Sequence, residues 1–175
     1  MDDAMMEQIA LRIQIEELMS DYTHALDDGE LSEWPMLFTQ ECFYQLIPRE
    51  NHEQGLPLAT IRCESRAMLE DRVMGLQETY MFEPRYLRHV TSGLRYQQID
   101  REEASGDDSA GNASSVIIAQ SSYAVFETLP DEFTRVFNVG RYLDEIVHDE
   151  RRLRFRQRIC VFDSELIPNS VIYPI

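Results

Sequence analysis

Residues 152–159 read Arg152-Leu153-Arg154-Phe155-Arg156-Gln157-Arg158-Ile159, with an arginine at every second position. Side chains two apart in an extended chain share a face. The spacing therefore predicts a strand with four guanidiniums on one side. Neighbours on such a row lie about 7 Å apart, so carboxylates must sit nearby to offset their repulsion. Asp144 and Glu145 precede the turn at 148–152 and fall across the expected hairpin. Such a face is either a solvated, salt-bridged sheet surface or one that receives a carboxylate-rich partner or a neighbouring subunit.

Working outward, β-rich runs cover roughly 86–100, 115–128, 133–148 and 152–165, with turns at 127–133 and 148–152. Arg101 to Ser115, with Gly106, Gly111 and several Asp and Ser, reads as a solvated connection. Before Pro84 the periodicity is helical. Leu11, Ile15, Leu18, Tyr22 and Ala25 fall within about 80° of one another at 100° per residue, predicting a helix over 5–27 that stops at Gly29. Leu69, Val73, Leu76 and Tyr80 predict another over 65–80. Between them, Leu31–Thr39 reads as a short helix with Ser32 as its cap, Cys42–Ile47 as a strand and Pro48–Pro57 as a loop. Helices first and long consecutive strands after them make one α+β domain over 1–175, with helices on one face of an antiparallel sheet. Long hairpins twist such a sheet, and helices held in its concavity make a cone.

Composition limits the function. The chain has 175 residues, 32 acidic and 16 basic, for a net charge of −16. Every basic residue is arginine. Nucleic acid requires a cationic footprint, and this balance is the reverse. An anionic membrane surface repels it as well. With 43% hydrophobic residues the chain has ample material for a core. Residues 1–55 carry 13 acids against 2 arginines, so most of the surplus lies in the first third. The start Met1-Asp2-Asp3 lacks the features of a secretory signal, and no stretch approaches the ~18 apolar residues of a membrane span. Cys42, Cys63 and Cys160 are odd in number and far apart, which suits reduced thiols in a cytoplasmic protein.

Chemistry is sparse. The histidines are His24, His52, His89 and His148, without metal-binding spacing. Asp21-x-x-His24 begins an Asp-x2-His-x4-His iron motif, but Gly29 stands where its second histidine belongs. No nucleophile elbow or glycine-rich phosphate loop occurs. Acid–base work in a cone pocket could use Asp21, Tyr22, His24 and His89. Against this, Tyr22 lies on the apolar stripe and reads as core, and His89 beside Arg88 reads as a hydrogen-bonded structural or interface residue.

Several segments together resemble the small (β) subunit of Rieske-type aromatic-ring-hydroxylating oxygenases. They are Trp34-Pro35-x-x-Phe38-Thr39, Pro48-Arg49-Glu50-Asn51 with Gln54-Gly55-Leu56-Pro57-Leu58, Asp71-Arg72-Val73, Arg88-His89, and the tail Asp163-Ser164-Glu165-Leu166-Ile167-Pro168-Asn169-Ser170-Val171-Ile172-Tyr173-Pro174-Ile175. The tail and the Pro48 loop look most like the salicylate 5-hydroxylase small subunit, with terephthalate dioxygenase a more distant cousin. The connection at 101–115 looks longer here. The resemblance implies an NTF2-like, cystatin-like cone without chemistry of its own. It implies no cofactor in this chain. A catalytic α subunit would carry the Rieske [2Fe–2S] cluster and mononuclear Fe(II), in an α3β3 hexamer built on a β trimer. Electrons would come from NAD(P)H through a reductase and a ferredoxin, and salicylate would become gentisate. The chain itself lacks Cys-x-His…Cys-x2-His and a facial triad. Arg72, Arg88, His89, Arg154, Arg156 and Arg158 are then candidates for β–β or α–β contacts, since arginine's planar fork suits interface pairs. The competing expectation is a stand-alone isomerase, dehydratase or cyclase using Asp21, Tyr22 or His89; a third is a plain ligand-binding module.

Overall fold

The computed structural model describes residues 2–78, 85–99, 115–164 and 171–175. Helix α1 (Asp3–Asp27) ends where Gly29, at φ +76°, turns the chain away. Its buried residues are Ile15, Leu18, Met19, Tyr22, Ala25 and Leu26, all in its second half. A 3₁₀ turn (Pro35–Leu37) stands where a longer second helix was expected, because the chain becomes extended at Phe38. Strand β1 (Phe38–Pro48) runs into the short helix α2 (Arg49–Glu53), inside the segment read as a loop. Strand β2 (Ile61–Cys63) and helix α3 (Arg66–Glu78) follow, and then β3 (Tyr86–Ile99), β4 (Val116–Thr128), β5 (Arg135–Asp149) and β6 (Arg152–Phe162). Apart from Ser115, the connection expected at 101–115 lies outside the described residues, as does Tyr80 of the helix expected over 65–80.

The six strands form one sheet in the order β2-β1-β6-β5-β4-β3. Strands β3 to β6 make the expected antiparallel hairpins. The sheet is nevertheless mixed, because β1 lies parallel to β6, with Leu46 beside Cys160 and Ile47 beside Val161. From Ile117 onward strand β4 alternates, burying Ile117, Ala119, Ser121, Tyr123 and Val125 on one face. The core is aromatic at its centre: Trp34, Phe38, Tyr22, Tyr44 and Phe155 meet edge to face or tilted, with centroids 5.1–6.3 Å apart. Such pairs add directional energy to the area they bury.

The four arginines of β6 do not share a face. Glu145 pairs with Gln157 and the next residue, Ile146, with Phe155, so Arg156 is the extra residue of a β-bulge. A one-residue insertion reverses the alternation. Beyond it Arg158, Cys160 and Phe162 turn inward, whereas Arg154 and Arg156 stay on the outer face.

Candidate functional site

At the centre of the interior, Arg158 sits directly opposite Asp144. Its Nε and Nη2 each donate to an Asp144 oxygen at 2.8 Å, and both side chains are completely enclosed. The guanidinium also lies 3.9 Å from the Phe155 ring centre, 4.1 Å from Tyr22 and 4.3 Å from Tyr142. Burial pushes the Asp144 carboxyl up, while the carboxylate beside it holds Arg158 still more firmly in its charged form. With a fork-on-fork geometry and a guanidinium that does not deprotonate, the pair is ionic.

Next to it, the Ile175 oxygen accepts hydrogen bonds from Tyr22 Oη (2.6 Å), Tyr44 Oη (3.1 Å) and Cys160 Sγ (3.1 Å), and the Ile175 amide donates to Tyr44 Oη (3.0 Å). Burial drives the phenols of Tyr22, Tyr44, Tyr123 and Tyr142 well upward, so they stay protonated. Packed this way, the centre of the cone is occupied by these side chains.

The second polar cluster joins the end of α1 to β3. His89 Nδ1 lies 2.6 Å from Asp27 Oδ1, and the His89 amide donates to both Asp27 oxygens. The contact with Asp27 engages Nδ1, and Nε2 is the other ring nitrogen. That Nε2 is buried without a partner, as are Tyr142 Oη, Trp34 Nε1 and Ser121 Oγ among the described residues. Arg88 points outward, 63% exposed, 3.6 Å from Asp27 and 3.9 Å from Asp28.

The residues singled out in the sequence thus separate. Tyr22 is core. His89 is internal and bound to Asp27, a partner 62 residues away that no local pattern indicates. Asp21 lies on the outer side of α1, lining a 290 Å³ cleft with Glu17, His148 and Arg152. An acid–base set of Asp21, Tyr22 and His89 is therefore not assembled. Among the arginines, Arg72 is pinned to the Ile172 carbonyl at 2.7 Å, Arg154 to Asp149, and Arg156 to Glu145 at 2.6 Å. Asp144 and Glu145 do offset the arginines as expected, but on opposite faces of the sheet.

The outer face of the sheet carries an apolar patch. Val90, Ala124 and Val139 form one cross-strand row, and Arg88, Phe126 and Val136 the next. Val90, Val136 and Val139 are exposed, as is Phe133 at the adjoining turn. Apolar area of this kind marks contact surfaces when it is contiguous.

Residues 7–159 match the model of the SnoaL-like domain. The chain is 30% identical, over 97% of both chains, to the anthranilate 1,2-dioxygenase small subunit of Burkholderia cepacia. It is 28% identical to the terminal oxygenase component subunit beta 2 of terephthalate 1,2-dioxygenase from Comamonas sp, over 93% of this chain and 97% of that one. Among solved structures it superposes with a TM-score of 0.77 and 32% identity on a β subunit from Novosphingobium aromaticivorans described as that of an aromatic-ring-hydroxylating dioxygenase. That match covers 97% of this chain and 99% of the other.

Proposed function

The chain belongs to the SnoaL-like domain family and, within it, to the small subunits of aromatic-ring dioxygenases, and from that premise we propose that it is the non-catalytic β subunit of a Rieske non-haem iron oxygenase. The observation that carries the reading is the filled interior. Arg158, Asp144, Tyr22, Tyr142 and Phe155 occupy the centre of the cone, and the Ile175 oxygen engages Tyr22 and Tyr44. Among the described residues there, Arg158 is committed to Asp144, and Tyr22 and Tyr44 to the Ile175 oxygen.

The described residues hold no group of three His, Cys, Asp or Glu side chains placed to bind a metal. The sequence has neither the Cys-x-His…Cys-x2-His pattern nor a facial triad. This chain's residues do not fit either iron centre, and we assign both to a large α partner supplied with electrons from NAD(P)H. The β subunit supports that partner, in an α3β3 assembly in the cytoplasm. Arg88, Arg154 and Arg156, with the patch of Val90, Val136 and Val139, are the proposed contacts. His89, Arg72 and Arg158 act from inside the subunit by holding its shape.

The proposed reaction is hydroxylation of salicylate to gentisate, supported by the resemblance of the Pro48 loop and the tail. A relative acting on anthranilate, also an ortho-substituted benzoate, points to the same substrate class. Co-expression with the cognate large subunit tests both levels. The expected result is a red-brown complex that, with NAD(P)H, reductase and ferredoxin, converts salicylate to gentisate. Turnover of anthranilate instead removes the substrate assignment alone. A colourless chain that binds no large subunit and isomerises or dehydrates a small ketone by itself removes the subunit role.

A further inference from the structure

We propose that the cleft between the middle of α1 and the bulged segment of β3 binds a small monocyclic aromatic carboxylate. The cleft is open to solvent on one side, has a volume of about 230 Å³ and is lined by Arg12, Glu16, Met19 and Ser20 of α1, Thr91 to Leu94 of β3, and Ser121 of β4. It exists because β3 bulges between Ser92 and Arg95, where Gly93 takes φ +68°. Such a bulge re-aims an edge strand. An enclosed cavity of ~150 Å³ accommodates benzene, so a ring with one substituent fits this volume.

Three features select the ligand. At the floor, Ser121 is 2% exposed and its Oγ has no partner. A buried hydroxyl left unpaired costs free energy that a ligand acceptor would recover. At the rim, Arg12 uses Nε on Glu16 at 2.9 Å, and its terminal nitrogens remain available to a carboxylate. Along the side, Met19 is buried and Leu94 half-buried, and a thioether against a ring is a favourable contact. A flat apolar body with a single anionic head satisfies all three. Glu16 beside the guanidinium disfavours a second negative charge.

This site lies outside the filled interior and does not depend on the proposed subunit role. Its test is titration of the full chain with benzoate, with benzyl alcohol as the uncharged comparison, by calorimetry and by amide shifts of Ser92, Leu94 and Ser121. One saturable site is expected for benzoate, weakened about tenfold in Arg12→Gln and in Ser121→Ala, which each remove one charge-assisted bond. Benzyl alcohol should bind about tenfold more weakly than benzoate. Ser92→Tyr, at an exposed edge position that leaves the core untouched, should block binding while the thermal transition is retained. Failure of benzoate to saturate, unchanged affinity in Arg12→Gln and Ser92→Tyr, or benzyl alcohol binding as tightly as benzoate overturns the proposal. None of these outcomes bears on whether a large subunit co-purifies.

Discussion

Removing the Asp144 carboxylate leaves a guanidinium enclosed by aromatic rings without its counter-charge. Asp144→Ala should therefore destabilise the chain by about 3–5 kcal/mol, measured by urea unfolding. The double substitution Asp144→Leu with Arg158→Met should recover most of that loss, because well-packed apolar residues often replace a buried ion pair at little cost. A double variant as unstable as the single would mean that the pair contributes more than mutual neutralisation. The thiols make a separate case. Burial pushes Cys42 up to about 11 and Cys160 up to about 12, and Cys63 upward as well. At pH 8 about a thousandth of Cys42 is thiolate. Iodoacetamide should label the native chain slowly and all three cysteines quickly once urea unfolds it. The sign with pH follows from linkage. These thiols and the buried phenols have folded values above their unfolded ones, so their contribution is whole below about pH 9 and is lost as pH rises beyond it. Unfolding midpoints that rise between pH 9 and 11 would contradict this. At this scale the sequence was partly legible. Asp144 and Glu145 could be matched to the arginines by counting across a hairpin. Asp27, joined to His89 through tertiary packing alone, could not.

Strand β6 shows what periodicity can and cannot convey about an element. Alternating arginines identified the strand correctly, but a single inserted residue at Arg156 decided which of them faces water. A bulge leaves no compositional mark when the inserted residue is itself an arginine in an arginine row. The strand at Cys42–Ile47 was read, but not its pairing: its parallel neighbour β6 is more than a hundred positions away, and a strand that pairs so distantly carries no turn signal linking the two. Three-residue β2 lies below any pattern length. The hairpins β4–β5 and β5–β6, by contrast, were readable because their turns are local. Within this sheet Gly140 has a packing role. A Cβ there would collide with the Val161 carbonyl oxygen and come within 2.8 Å of Tyr123 Oη. Gly140→Ala should force β5 from β6 and cost about 1–3 kcal/mol, read as a lowered thermal midpoint. An unchanged midpoint would mean that the strands separate without loss.

For the whole molecule, the charge of −16 is unevenly distributed along the chain: α1 carries six acids against one arginine, and the rest of the surplus of residues 1–55 lies mostly in the segments after it. The exposed arginine beside the apolar patch is Arg88. Arg88→Ala should weaken association with the large subunit and leave the fold intact. Size-exclusion chromatography of the co-expressed subunits checks this, and an unchanged complex removes Arg88 from the interface. The α+β cone was legible from helices preceding strands, whereas the closed centre was not, because it depends on Ile175 reaching Tyr22 and Tyr44 from the far end of the chain. That arrangement governs how the chain acquires its structure in time. While the ribosome is still extending it, β1 has no β6 to lie against and Tyr44 no Ile175 to bind. Closure of so long a loop is entropically slow. Until the last strand emerges, the nascent chain presents the unpaired edge of β1 and a bare aromatic cluster, the kind of surface that chaperones retain and that aggregates when they are scarce.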